Sequence, residues 1–101
     1  MSMSEQLRIL EPRLKELWGQ LNNYVETEND KHFSVLLAQF GLAERTMESI
    51  RMTTDTRNLH ECIDELRGNL NAHQKYGRWE TVTQALDNLR EAFELIQELR
   101  E

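Results

Sequence analysis

One cysteine, one proline and four glycines occur in 101 residues. The lone Cys62 excludes an intramolecular disulfide, and with it a disulfide scaffold. Cysteine usage this sparse points to a reducing cytoplasm. No Cys/His cluster has the spacing of a structural zinc site. The glycines are isolated from one another, so no phosphate-cradling loop is present. No stretch approaches the roughly 18–20 apolar residues of a membrane span. Met1–Leu10 has neither a basic start nor an apolar centre, so a secretory signal is not expected. Runs of β-branched and aromatic residues with a period of two are absent, which leaves no candidate strand.

Positive charge is also scarce. The 18 acids exceed the 12 Lys and Arg, for a net charge of −6. Residues 1–52 carry 8 acids and 6 bases, and residues 53–101 carry 10 and 6. Neither half offers phosphate a basic surface, so nucleic-acid binding is disfavoured. A basic partner surface is attracted instead. Hydrophobic residues make up 39% of the chain, enough for one modest core. A single domain over residues 1–101 follows.

What is present is helical periodicity. Leu7, Leu10, Leu14, Leu17, Leu21 and Tyr24 recur in alternating steps of three and four, a seam on one helix face. They place a first helix over about Ser4–Val25, with Ser4 as its cap. Pro12 interrupts it: either the helix kinks there, or it starts there, where proline is tolerated. Phe33, Leu36, Phe40, Ala43, Met47 and Ile50 form a second seam over about Lys31–Arg51, capped by Asn29 or Asp30. Leu59, Ile63, Leu66, Leu70 and His73, with Cys62 alongside, mark a third helix over about Arg57–Lys75. Gly77 suits the left-handed position that ends it. Trp79, Val82, Leu86, Leu89, Phe93 and Ile96 mark a fourth helix running to the end of the chain. Short connections make successive helices antiparallel neighbours. The expected fold is therefore all-α, an up-down-up-down four-helix bundle of two helical hairpins. The alternative is a three-helix bundle with an N-terminal arm, should Pro12 break the first helix.

The hairpins share a pattern. Glu16–Asn22 resembles Glu65–Asn71 at an offset of 49, and Phe33 and Trp79 open the second helix of each half at an offset of 46. Chance similarity between two Leu/Glu-rich helices explains the likeness equally. Gly19, Gly41 and Gly68 lie away from the seams. They are either merely tolerated or mark the close approach of another backbone.

Sites for chemistry are weak. No Glu-x-x-His pair suits a carboxylate-bridged metal centre. His73 lies on a seam and reads as a bundle-end histidine bonded to a carbonyl. His60 points away from its seam, and His32 flanks a helix start. A metal-dependent helical hydrolase would draw on Glu44, Glu48, Glu61 and Asp64, since Mg²⁺ takes oxygen ligands. Glu61, however, falls about 140° from the centre of its seam at the α-helical turn angle. Cys62 reads as a small buried hydrophobe, with no neighbouring base to activate it.

Surplus apolar surface is the more informative feature. Val35, Leu37 and Leu42 stand off the second seam, and Ala92, Leu95 and Leu99 off the fourth. Such side chains mark interaction surfaces when they cluster. Glu94, Glu98 and Glu101 crowd the last turns of the fourth helix, where acids oppose the helix dipole and favour a basic partner. The sequence reads as a small acidic cytoplasmic interaction module, of adaptor, chaperone-like or inhibitor type, without a cofactor or bound metal. Its partner is another protein or a second copy in a homodimer, not nucleic acid or a membrane. The expected contact residues are Val35, Leu42, Leu95 and Leu99, rimmed by Glu94 and Glu98. The alternatives are the hydrolase and a structural subunit of a larger helical assembly.

Overall fold

The computed structural model describes residues 2–101. Four helices follow in order: α1 (Met3–Thr27), α2 (Asp30–Ser49), α3 (Arg57–Tyr76) and α4 (Trp79–Arg100). α1 packs on α2 and α4, and α3 packs on α4 and α2, so α1/α3 and α2/α4 are diagonals of an up-down-up-down bundle. Its long dimension is 37 Å, the length of the 25-residue α1 at about 1.5 Å per residue.

α1 neither starts nor breaks at Pro12. The helix runs through Pro12, which removes the three-helix alternative. Pro12 and Arg8, whose carbonyl loses its usual partner, are both exposed, so solvent can take the place of the missing N–H. The turns before Pro12 are anchored by Leu7 and Leu10 in the core and by Gln6, whose side-chain amide donates to the carbonyl of Ser49. The cap is Ser2 rather than Ser4: its hydroxyl accepts from the Glu5 N–H at 3.2 Å. Asn29 caps α2 by accepting from the Lys31 N–H at 3.0 Å.

The seams of α1, α2 and α3 are buried as expected, and Cys62 lies among them. α4 differs. Its buried residues are Val82, Ala85, Asn88, Leu89, Ala92 and Ile96, while Leu86 and Phe93 are only partly buried and Trp79 is exposed. The centre of its inner face is turned by about 50° from the line of its largest side chains. Small Ala85 and Ala92 face inward, and α3 and α4 share the most extensive contact in the bundle. That rotation carries Leu95 and Leu99 against the core.

The two hairpins repeat at one constant offset, 49, the separation of Tyr24 and His73. The same register pairs Leu14 with Ile63, Leu21 with Leu70, Phe40 with Leu89 and Met47 with Ile96, all buried. It also pairs the helix ends. Glu28 (φ 51°) and Gly77 (φ 67°) are both left-handed, and their N–H groups return to the Tyr24 and His73 carbonyls at 2.7 and 2.8 Å. Gln39 donates to Glu16 at 3.5 Å, and its counterpart Asn88 donates to Glu65 at 3.1 Å. Phe33 therefore corresponds to Val82, not to Trp79. Gly19, Gly41 and Gly68 leave open space: a Cβ on any of them would meet nothing within 4 Å, so no backbone approaches them closely.

Candidate functional site

The turn that joins α1 to α2 and the turn that joins α3 to α4 lie at the same end of the bundle, brought there by the alternating helix directions. Four rings meet beneath them. Tyr24 stacks on Trp79 (centroids 5.3 Å apart, 20° between planes) and tilts against Phe33 at 5.0 Å. His73 stands edge-on to both Tyr24 and Phe33. The His73 ring is held at both nitrogens. Nδ1 lies 3.0 Å from the Arg78 carbonyl, as a bundle-end histidine should, and Nε2 lies 2.7 Å from the Tyr24 hydroxyl. A carbonyl accepts only, so the proton sits on Nδ1 and the Tyr24 O–H donates to Nε2.

A hollow of about 420 Å³ opens over this cluster, lined by Tyr24, Glu28, Asp30, Phe33, Ser34, His73, Gln74, Gly77 and Trp79. Trp79 is 40% exposed, whereas Tyr24, Phe33 and His73 are buried. Glu28 and Asp30, like most acids of the chain, pair with no basic side chain among the described residues. Their charge reaches the cluster. Burial first, then Asp30 and Glu28, push the Tyr24 phenol above its ordinary value. Two nearby cations face elsewhere: Lys75 and Arg78 lie 5.3 and 5.8 Å from the centroid of the Tyr76 ring.

The sequence-derived contact residues do not form one surface. Val35 and Leu42 are about half exposed on the outer side of α2. They flank Gln39 and Thr46, which bond Glu16 and Arg13 of α1. Leu95 and Leu99 belong to the diagonal helix, pack against the core, and edge a shallow hollow with Met3, Asp55 and Asn58 at the opposite end of the bundle. They are partly exposed, as off-seam side chains should be, but the rotation of α4 also brings them against the core. Glu94 and Glu98 are exposed beside Phe93 and Gln97.

Three of the four carboxylates considered for metal chemistry are tied to arginines. Arg67 bridges Glu44 (3.1 Å) and Asp64 (2.9 Å), and Arg57 meets Glu61 at 3.5 Å. Glu48 shares a small cleft with Glu44, His60, Asp64 and Arg67. No three His, Cys, Asp or Glu side chains among the described residues are placed to hold a metal ion. His60, off its seam as expected, is half-buried, with Nε2 2.9 Å from the carbonyl of Ile50 just past the end of α2. The Cys62 thiol donates to the Asn88 carbonyl at 3.0 Å, and burial, with Glu91 and Glu65 adding, pushes it up to about 12. It is therefore an unreactive thiol at neutral pH.

The hollow itself was not legible in the sequence. Its residues come from all four helices and both turns. The available signals were Trp79 at a helix start and two acids beside the first turn.

No helix among the described residues is long and apolar enough to cross a membrane. Comparisons with protein-family models, with curated proteins and with solved structures found no match.

Proposed function

We propose that this chain is a small protein-interaction module of the reducing cytoplasm, without chemistry of its own, that holds a basic segment of another protein at the paired-turn end of the bundle. One observation carries the reading: an open hollow with an aromatic floor, an exposed tryptophan and two carboxylates that no basic side chain of the described chain neutralises. The rest of the acidic surface supports it by drawing positively charged partners toward the molecule. Val35 and Leu42 give such a segment an apolar strip on α2, whereas Glu94 and Glu98 lie toward the opposite end of the bundle and add only to the overall acidic field.

The test is binding of fluorescent helical peptides of matched length and hydrophobicity that differ in net charge. The basic peptide should bind, and binding should weaken on going from low salt to high, as screening shortens to about 10 Å at 0.1 M. Equal binding of acidic and basic peptides, or none by either, would count against the proposal.

A further inference from the structure

The chemistry of the hollow narrows what enters it. Its floor is aromatic, its rim is negative, and its mouth is open to the end of the bundle. A neutral apolar group would leave Glu28 and Asp30 beside a poorly solvated neighbour. An anion would meet the same field that raises the Tyr24 phenol. A cation fits both features, because indole is the strongest aromatic partner for a positive charge and the carboxylates supply acceptors. Within that class the flat guanidinium of arginine is favoured over an ammonium group. It stacks on an aromatic face while its fork of N–H donors reaches carboxylates in the same plane, and it is more weakly hydrated.

We propose that the hollow receives an arginine side chain projecting from the partner protein, with the guanidinium against Trp79 and bonded to Asp30 and Glu28. This rests on reading the hollow as the partner site. Two of the chain's own cations at this end, Lys75 and Arg78, lie over Tyr76 instead, and Lys31 makes no ion pair with Asp30 or Glu28.

The experiment uses the full chain and one short basic helical peptide in three versions, with arginine, lysine or neutral citrulline at its central position. Binding is read from the indole N–H resonances, with Trp18→Phe assigning the signal of Trp79. The arginine peptide should shift the Trp79 signal and bind roughly tenfold tighter than the lysine version, which is the reach of a stacked, forked contact. Asp30→Asn with Glu28→Gln should abolish that preference, and unchanged thermal melting would show that the fold is intact. Equal affinity for arginine and lysine, or shifts that avoid Trp79, would overturn the arginine assignment while leaving a basic-segment module standing. Binding of blocked arginine amide as tightly as the peptide would overturn the partner-protein source in favour of a small guanidinium ligand. Absence of binding by all three peptides would remove both the assignment and the reading beneath it.

Discussion

Tyr24 and His73 occupy the same place in their two hairpins, 49 residues apart, and are joined by a 2.7 Å hydrogen bond at the end of the core. The bond ties α1 to α3, diagonal helices that share no close backbone contact. Removing it by Tyr24→Phe leaves the buried Nε2 of His73 without its donor. An unsatisfied buried polar atom costs about 1–3 kcal/mol. A thermal melt should show a drop of at least about 4 °C for a domain of this size. An unchanged melt would show that the bond adds nothing to stability.

Two groups make the protein sensitive to alkali. The unfolded Cys62 thiol loses its proton near 9.0, and the folded one at about 12. The Tyr24 phenol is likewise raised above 10.0. Between the unfolded and folded values the unfolded chain binds fewer protons, so stability is full below pH 9 and falls as pH rises. Denaturant titrations across pH 8–11 should show this decline, and Cys62→Ala should flatten it. An unchanged slope in that variant would assign the decline to other groups.

Backbone conformation makes a paired prediction. Glu28 holds a left-handed φ of 51°, where a side chain is strained, and its counterpart Gly77 at 67° is not. Glu28→Gly should raise stability by up to about 1 kcal/mol, and Gly77→Ala should lower it by about as much. In the open helical positions, Gly41→Ala and Gly68→Ala should each add roughly 0.5–1 kcal/mol, because the new methyl meets nothing within 4 Å. Calorimetry of the four variants checks the signs.

Burial separates the two leucine-bearing surfaces. Leu95 and Leu99 pack against the core, so Leu95→Glu with Leu99→Glu should lower the melting temperature sharply. Val35 and Leu42 are about half exposed, so Val35→Glu with Leu42→Glu should change stability by no more than about 0.5 kcal/mol each. Circular-dichroism melts distinguish the pairs, and the reverse order would place Val35 and Leu42 in the structural role.

Molar mass by light scattering addresses self-association. With Leu95 and Leu99 partly buried against the core, the exposed large apolar side chains are scattered over both ends, α1 and α2. A stable interface needs about 800 Å² per partner. A steady 12.0 kDa across a dilution series is expected. A mass near twice that value, falling on dilution, would instead show that copies of this chain cover one another.

Periodicity in the sequence determined the four helices, the burial of Cys62 and the carbonyl-bound His73, because each depends on residues within a few turns of one another, and the short connections determined the antiparallel order. The tertiary structure decided the rest. Pro12 lies within α1 because the turns on both sides of it are anchored in the core, an energy that no local propensity contains. Leu95 and Leu99 pack partly against the core because Ala85 and Ala92 let α3 approach α4, and a helical wheel weighted by side-chain size misses such a rotation. The acid-rimmed hollow exists only because alternating helix directions bring two turns, 49 residues apart, to one end of the bundle.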